Sequence, residues 1–219
     1  MDEDESRHVL KVLRHDVGDE LPVTDGQGGL YFCTIEATGR NCLLNISRQE
    51  YKPEPKHNIH IALAPTKNAE RTEWFVEKAT EIGVQDITLI QSHRSERMRA
   101  NVDRLRRVAI SAMKQSRNVW LPRVHELIEF KAALKLEADQ KFVAYVDPVS
   151  PPEHLFQQAK KNRSYLILIG PEGDFSSVEI NEAGKAGFVP ISLGVNTLRT
   201  ETAALAACHI LNLAQLDLK

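Results

Sequence analysis

Two consecutive strand–loop–helix units at residues 165–208 constrain the fold of this chain more than any other feature. An apolar run of β type at residues 165–169 leads into the tight loop Gly170-Pro171-Glu172-Gly173. A second apolar run at residues 188–193 leads into a loop at residues 194–199. Because parallel strands joined by helices end at the same edge of their sheet, both loops are predicted to lie at one edge, where open α/β sheets bind ligands.

The helices that follow these loops carry end signals. Ser176 and Glu179 have the spacing of a capping box, so the first helix is predicted to open at Ser176, and Gly187 stands where a left-handed C-cap is expected. The second loop ends in Arg199, and Glu201 follows at the start of a mainly apolar helix. Since a strand-end loop does not need an arginine for packing, the pattern predicts a binding site formed by the two loops.

The rest of the chain divides into two regions of different pattern. Residues 1–50 contain short β runs around a glycine-rich turn and predict a small β domain. Two prolines with charged neighbours predict a stiff linker at residues 51–57. Residues 58–219 alternate β-type and helical runs, including a helix predicted at residues 153–161, and therefore predict an α/β domain with a parallel sheet covered on both faces.

Composition excludes several classes of protein. The chain of 219 residues is 42% hydrophobic, carries a net charge of −2, and contains no apolar run long enough to span a membrane. Its acidic, polar N-terminus is not a signal peptide, and its three cysteines have neither disulfide nor metal-site spacing. We therefore expect a cytoplasmic protein with reduced thiols, no membrane association and no metal. The glycine motifs of dinucleotide-binding and P-loop proteins are absent.

Basic residues are concentrated in two segments. Residues 94–123 contain nine lysines and arginines against two acidic residues, a local charge of +7 that favours an anionic ligand. Near the N-terminus, basic residues lie between apolar ones, and a solvated surface explains that spacing as well as RNA contact does. The RNA-binding candidates are Arg7, His8, Lys11, Arg14, Arg94, Arg97 and Arg117.

Several motifs together resemble the ribosomal RNA small-subunit methyltransferase E family. They are Ile169-Gly170-Pro171-Glu172-Gly173 with Phe175-Ser176 and Glu179, Leu193-Gly194, Leu198-Arg199-Thr200-Glu201-Thr202-Ala203, residues 78–84, Ser95-Glu96-Arg97, Gln115-Ser116-Arg117, and Arg7-His8 with Val12-Leu13-Arg14. The resemblance covers nearly the whole chain in order. Asp174 departs from it, since the family commonly has a second glycine there, and the family's first strand, before Arg7-His8, is expected to be missing.

The resemblance implies a fold, an activity and partners. It implies a SPOUT-type parallel sheet with a C-terminal trefoil knot, and an N-terminal PUA-like β-barrel that binds RNA. The implied activity is methylation of N3 of a uridine in 16S ribosomal RNA with S-adenosylmethionine. The implied partners are that RNA or the small ribosomal subunit, and a second copy of the chain paired through the last helix.

The resemblance, with the loop pattern, also implies roles for individual residues. Arg199 would stabilise the negative charge of the deprotonated uracil, while Glu201 would act as the base or, as we favour, orient Arg199, and Glu172 could do the same from the first loop. The cofactor-binding candidates are Val146, Ile169, Gly170, Pro171, Gly173, Leu193, Gly194 and Leu198.

Two alternatives to this function stay open at the level of sequence. One is a knotted methyltransferase that acts on another RNA atom, such as a ribose 2′-oxygen. The other is a non-catalytic RNA-binding factor of ribosome assembly. The intact loop motifs argue against the second alternative, and the N-terminal signatures argue against the first.

Overall fold

A computed structural model describes residues 1–96, 99–145 and 150–216. The chain forms two compact units, Met1–Glu54 and Pro55–Lys219. Each unit has its own hydrophobic core.

The N-terminal unit is a three-stranded antiparallel sheet with a helical segment before it. Helix α1 (Glu3–Arg7) continues into a π-helical turn (His8–Val12), and the strands are β1 (Glu20–Thr24), β2 (Gly29–Ala37) and β3 (Leu43–Tyr51), in the order β1-β2-β3. Val9, Leu21 and Ile35 form its buried core.

The turn between β1 and β2 depends on one aspartate and one glycine. Asp25 Oδ1 accepts hydrogen bonds from the backbone N–H groups of Gln27 at 2.7 Å and Gly29 at 3.0 Å. A Cβ at Gly29 would lie 2.5 Å from Asp25 Oδ2, so a larger residue cannot occupy that position without a shift. The hydrogen bond from the backbone of Gln27 is the main cause that lowers the pKa of Asp25 below its usual value. The glycine-rich sequence thus fixes the hairpin.

The C-terminal unit contains the parallel sheet predicted from the alternating pattern. Its strands are β4 (Asn58–Leu63), β5 (Asp86–Gln91), β6 (Arg123–Glu129), β7 (Gln140–Ala144), β8 (Ser164–Ile169) and β9 (Val189–Ile191). They pair in parallel in the order β6-β5-β4-β8-β7-β9. Strand β9 therefore pairs with β7 and not with β8, which places β7 between the two strands that lead into the predicted binding loops.

Helices cover both faces of this sheet, because its central strands are buried at nearly every position and their successive side chains point to opposite faces. The helices are α2 (Ala69–Ile82), α3 (Val102–Gln115), α4 (Phe130–Ala133), α5 (Leu155–Gln158), α6 (Ser177–Lys185) and α7 (Thr200–Leu213). Ile59, Ile61 and Leu63 of β4 join the core under α2, α3 and α7, while Ala62 packs in the core with α4 and α6. None of the helices in the described residues is long and apolar enough to cross a bilayer.

The end signals of α6 are confirmed. Ser176 Oγ accepts a hydrogen bond from Glu179 N at 3.3 Å, and Glu179 Oε2 accepts one from Ser176 N at 2.8 Å, so both halves of the capping box are present. Gly187 has a left-handed φ of 87° just beyond the helix. Both features come from local spacing, which is why the sequence could predict them.

The helix predicted at residues 153–161 is wrong in its extent, because only Leu155–Gln158 is helical. The residues before Leu155 pair instead with Ser192, which directly follows β9. Ser192 N donates to Glu153 O at 2.9 Å, and Leu155 N donates to Ser192 O at 3.0 Å. This sheet-like pairing occupies the carbonyl of Glu153, which a helix beginning at that residue would have needed for its first intrahelical hydrogen bond.

A polar cluster lies at the amino ends of β4, β5 and β6. The carboxylate of Asp86, which is 5% exposed, accepts hydrogen bonds from Arg123 Nη2 at 2.6 Å, His125 Nε2 at 2.7 Å and Asn58 Nδ2 at 3.0 Å. Burial alone would raise the pKa of Asp86, but the hydrogen bonds from Arg123, His125 and Asn58 outweigh it and hold the pKa below its usual value.

His60 adjoins this cluster in a drier position. Its Nε2 lies 2.7 Å from Thr88 Oγ1, and its ring centroid is 5.6 Å from that of His125. Burial lowers the pKa of His60 from 6.5 to about 4, and the positive charges near His125 and Arg123 act in the same direction. The imidazole is therefore neutral at physiological pH.

All three cysteines are buried and free. Cys33 and Cys42 lie in the N-terminal unit, and Cys208 lies in α7. Burial raises the pKa of Cys33, and it raises that of Cys208 to about 12. These thiols have the properties of small core residues.

Candidate active site

A cleft of about 790 Å³ lies at the carboxyl ends of β7, β8 and β9, where the sequence predicted a binding site. Its volume is in the range of small-molecule sites. Its floor and walls come from the loops after β8 and β9, the end of β7, and the segment before α5. The lining residues are Ala144, Tyr145, Pro151, Pro152, His154, Ile169, Gly170, Pro171, Glu172, Asp174, Ile191, Ser192, Leu193, Gly194, Val195, Asn196, Thr197, Leu198, Arg199, Thr200 and Ala203.

The first loop is packed closely around its glycine. A Cβ at Gly170 would lie 3.2 Å from Phe175 N and 3.2 Å from Asp174 Oδ1. The Gly170 carbonyl accepts a hydrogen bond from the buried Thr200 Oγ1 at 3.1 Å, which ties the start of α7 to this loop. Asp174 adopts a left-handed φ of 59°, a conformation that glycine adopts without strain.

The second loop is held by a short side-chain turn. Ser192 Oγ donates to Gly194 O at 3.0 Å and accepts from Gly194 N at 3.2 Å. Gly194 has a φ of 137°, which a side chain would strain. Val195 is 100% exposed at the rim of the cleft. The loop thus presents Leu193 and Leu198 as apolar walls of the cleft.

Most of the predicted cofactor residues line this cleft. They are Ile169, Gly170, Pro171, Leu193, Gly194 and Leu198. Gly173 has another neighbour, since its carbonyl accepts a hydrogen bond from Arg94 Nη1 at 2.7 Å. Val146 lies outside the described residues.

Two of the three predicted catalytic residues also line the cleft. Arg199 occupies the N-cap position of α7, and its exposed side chain has no polar partner within the described parts of the chain. Glu172 accepts a hydrogen bond from the backbone N–H of Lys67 through Oε1 at 3.0 Å. An exposed guanidinium and a hydrogen-bonded carboxylate therefore line the same cleft.

Glu201 has a different environment from the one expected. Its carboxylate is buried, and Oε1 lies 3.8 Å from Nε of Arg71 on α2, while Oε2 has no hydrogen-bond partner among the described residues. Side chains two positions apart at a helix start do not face each other, so Arg71 and not Arg199 is its ionic neighbour. Glu201 therefore links α7 to α2 at the side of the site.

The basic segment at residues 94–123 is less free than its sequence suggests. Arg104 forms a two-point contact with Glu73 at 2.6 and 2.8 Å, Arg106 pairs with Asp103 and Glu126, and Arg123 pairs with Asp86. The local charge of +7 therefore overstates the cationic charge that is available to a ligand, because these three arginines are paired. Their carboxylate partners, apart from Asp103, lie outside the segment and could not be read from it.

The RNA-binding candidates are distributed over the two units. Arg94 and Arg117 are exposed in the C-terminal unit, and Arg97 lies outside the described residues. In the N-terminal unit, Arg7 pairs with Asp4, while the remaining candidates are exposed on and beyond the π-helical turn. Those remaining candidates are His8, Lys11 and Arg14.

Sequence reasoning missed several residues of the cleft. Tyr145 and His154 line the cleft because the segments that carry them lie beside β9. Tyr145 N donates to Ile191 O at 3.3 Å, and His154 forms a β-bridge with Ser192. No local signal marks them, since their position depends on the pairing of β7 with β9. Asp174 was noted only as a departure from a glycine, although it lines the cleft.

We expect Gly170→Val to weaken binding of S-adenosylhomocysteine, the demethylated form of S-adenosylmethionine, by about fivefold or more. The added side chain would overlap Phe175 N and Asp174 and displace the loop, and overpacking of this kind costs about 1–3 kcal/mol. Titration calorimetry measures the effect. Gly184→Ala is the control, because a Cβ at this exposed position of α6 would meet no atom within 4 Å. Equal affinities in both variants would contradict the assignment of Gly170 to the site.

The fold and the cleft define an α/β domain that binds a small ligand at the carboxyl ends of parallel strands. No group of three or more histidine, cysteine, aspartate or glutamate side chains in the described ranges is arranged to hold a metal ion. The chain belongs to the RNA methyltransferase domain family, whose sequence profile matches residues 52–212. A second profile, for the RNA methyltransferase PUA domain, matches residues 2–46.

Relatives support this assignment over almost the whole chain. Ribosomal RNA small subunit methyltransferase E of Mycobacterium bovis is 30% identical, and the alignment covers 94% of this chain and 83% of that protein. The crystal structure of a probable rRNA-methyltransferase from Porphyromonas gingivalis has a TM-score of 0.90 at 42% identity and covers 97% of this chain and 92% of its own. The structure of ribosomal RNA small subunit methyltransferase E from Neisseria gonorrhoeae, bound to S-adenosyl methionine, has a TM-score of 0.84 at 25% identity, covering 95% and 88%.

Proposed function

We propose that this protein transfers the methyl group of S-adenosylmethionine to N3 of a uridine in 16S ribosomal RNA. The observation that carries the proposal is the cleft between two glycine-bearing loops with Arg199 at its edge, in a chain similar to ribosomal RNA small subunit methyltransferases E. One such relative was crystallised with S-adenosyl methionine. The proposal includes the C-terminal trefoil knot and the cytoplasmic location that the resemblance implies.

The residues of the cleft fit the cofactor. Ile169, Leu193 and Leu198 offer apolar walls for its adenine and methylene groups, and backbone groups beside Gly170 and Gly194 can hydrogen-bond its polar edges. The close contact of Gly170 with Asp174 and Phe175 keeps the first loop compact beside the cleft. The cofactor supplies an electrophilic methyl group that needs no further activation.

The protein must then place the uracil and manage the proton of its N3. Loss of that proton leaves negative charge on the uracil carbonyl oxygens, which the guanidinium of Arg199 can stabilise. Glu172 is better placed than Glu201 to accept the proton, because it lines the cleft with Oε1 anchored on Lys67 N. Since base pairing occupies N3, the target uridine must be unpaired or flipped. Positioning supplies much of the rate enhancement.

Nucleoside analysis of 16S RNA tests the proposal. In a strain that lacks this protein, 3-methyluridine should disappear from the small-subunit RNA, and the purified protein with S-adenosylmethionine should restore it on those subunits. Loss of a 2′-O-methylated nucleoside instead would assign the protein to ribose methylation. An unchanged nucleoside profile with defective subunits would favour a non-catalytic assembly factor.

The RNA-contact proposal leads to a salt-dependent prediction. We expect Arg117→Gln to lower the slope of log affinity against log salt concentration by roughly 0.7–0.9, the effect of one lost phosphate contact. The double variant Arg104→Gln/Glu73→Gln should leave the slope unchanged, because that arginine is already neutralised by its carboxylate partner. Filter binding of small subunits from the deletion strain at several salt concentrations measures both. Identical slopes for Arg117→Gln and the wild type would argue against a phosphate contact.

We also propose a homodimer paired through α7. Leu205, Ile210 and Leu213 remain partly exposed on this helix, which has more apolar surface than its own subunit buries. Leu205→Glu should give monomers and reduce methylation, because dimerisation would bury an unpaired charge. Sedimentation at micromolar concentration measures the change, and His209→Glu, at an exposed position of the same helix, is the control. A monomeric wild type would refute the dimer.

A further inference from the structure

Glu179 does more than cap α6. Glu179 is 6% exposed, and its carboxylate accepts three hydrogen bonds. Oε2 accepts from Ser176 N and Ser176 Oγ, each at 2.8 Å, and Oε1 accepts from His93 N at 2.8 Å. His93 belongs to the loop after β5, 86 residues earlier in the chain. One buried side chain therefore holds the loop after β5 against the loop that leads from the cleft into α6.

Arg94, the next residue, makes a second connection. Its Nη1 donates to the carbonyl of Gly173 at 2.7 Å, and within the described residues its other guanidinium N–H groups have no protein partner. Gly173 lies between Glu172 and Asp174, which both line the cleft. The turn that carries both cleft residues is thus bonded to Arg94, whose other donors have no partner among the described residues.

A third connection brings in the loop after β4. The backbone N–H of Lys67 donates to Glu172 Oε1 at 3.0 Å, and Lys67 Nζ lies 2.8 Å from Glu96 Oε2. The loops after β4, β5 and β8 therefore form one hydrogen-bonded body. These hydrogen bonds and this ion pair connect the cleft residues to the start of the basic segment.

We propose that Glu179 and Arg94 are positioning residues that couple the basic segment to the cleft, so that RNA and cofactor each raise the affinity for the other. This inference rests on the proposed function, since it takes the ligand of Arg94 to be RNA phosphate and the ligand of the cleft to be S-adenosylmethionine. A ligand in the cleft orders the loop around Gly173, which fixes the carbonyl that orients Arg94. A phosphate on the free donors of Arg94 favours the same arrangement.

Coupling of this kind is reciprocal and typically amounts to about 5- to 150-fold in affinity. It would direct the enzyme to bind RNA when it carries the cofactor, and to release both products more readily once one has left. Glu179→Gln should abolish it, because the amide has one acceptor oxygen and its NH2 group would face either His93 N or Ser176 N. Arg94→Lys keeps the charge but removes the forked group that can contact Gly173 O and a phosphate together.

The experiment measures the affinity of the protein for small ribosomal subunits from the deletion strain, with and without saturating S-adenosylhomocysteine. In the wild type we expect S-adenosylhomocysteine to tighten subunit binding by about fivefold or more. In Glu179→Gln and in Arg94→Lys the two affinities should become nearly equal. Glu182→Gln, at a partly exposed position of the same helix, should retain the wild-type ratio. Calorimetry of S-adenosylhomocysteine binding with and without subunits should give the same ratios.

Thermal unfolding first shows whether Glu179→Gln is folded, and if it is not, Arg94→Lys decides alone. The inference would be overturned if S-adenosylhomocysteine left the affinity of the wild type for subunits unchanged. It would also be overturned if both variants kept the wild-type ratio of the affinities with and without S-adenosylhomocysteine. Methylation of uridine N3 by the wild type together with a ratio near one would reject the coupling and leave the function standing. A clear ratio without 3-methyluridine formation would reject the function and leave the coupling.

Discussion

Arg199→Ala should reduce the rate constant of methyl transfer by about 10²- to 10³-fold, the usual effect of removing one group that stabilises developing negative charge. The side chain lies at the edge of the cleft without a polar partner in the described residues, so its removal leaves no buried carboxylate unpaired. The fold and the affinity for S-adenosylhomocysteine should change little. Single-turnover transfer of a labelled methyl group to subunits from the deletion strain measures the rate constant.

Two further variants give this prediction its specificity. Arg199→Lys should recover part of the rate, because the charge remains while the planar two-donor geometry is lost. Arg163→Ala, an exposed arginine before β8, should transfer methyl groups at the wild-type rate. If Arg199→Ala weakened only the binding of subunits and left the single-turnover rate intact, Arg199 would be a binding residue and not a catalytic one.

The free energy of unfolding should fall by roughly 3 kcal/mol between pH 6.5 and pH 4 because of His60 alone. Its folded-state pKa of about 4 lies below the unfolded value of 6.5, and each unit of difference corresponds to about 1.4 kcal/mol. Below pH 6.5 the unfolded chain binds a proton that the folded chain does not bind until about pH 4. The stabilisation is therefore complete above pH 6.5 and is lost as the pH falls through this window.

Urea unfolding at several pH values tests this effect. His60→Gln should flatten the curve between pH 4 and pH 6.5, whereas His209→Gln, which changes an exposed histidine of α7, should not. Asp86 acts in a different window: its pKa is held below 3.8, so its contribution is lost only at more acidic pH. A curve for His60→Gln that parallels the wild type from pH 6.5 to pH 4 would show that His60 is hydrated in solution.

The parallel sheet and the position of the cleft could be predicted because both follow from local patterns. Alternating runs indicated strands and helices, and the carboxyl ends of parallel strands must meet at one edge. The capping box of Ser176 and Glu179 needed only their spacing. The order β8-β7-β9 was not accessible in this way, since it depends on which strands pair over long distances. Tyr145 and His154 were missed for that reason.

The charged residues show the same limit more strongly. A count of charges in residues 94–123 treated each arginine as available, while Arg104, Arg106 and Arg123 are satisfied by carboxylates from α2, β6 and β5. Glu201 shows the opposite case. Its position in the sequence suggested Arg199 as its ionic partner, whereas the packing of α7 against α2 places Arg71 beside its carboxylate. Residue type and order predicted which side chains carry chemistry, and the packing of distant elements decided their partners.

The burial of every thiol in this chain makes it suitable for site-specific labelling. Cys33, Cys42 and Cys208 are all buried, and thiolate formation, on which maleimides and similar reagents depend, is suppressed at Cys33 and Cys208 by their raised pKa. Val195→Cys would introduce one fully exposed thiol on the rim of the cleft. A fluorophore attached there would report the movement of the second loop in real time, in the otherwise unmodified native sequence.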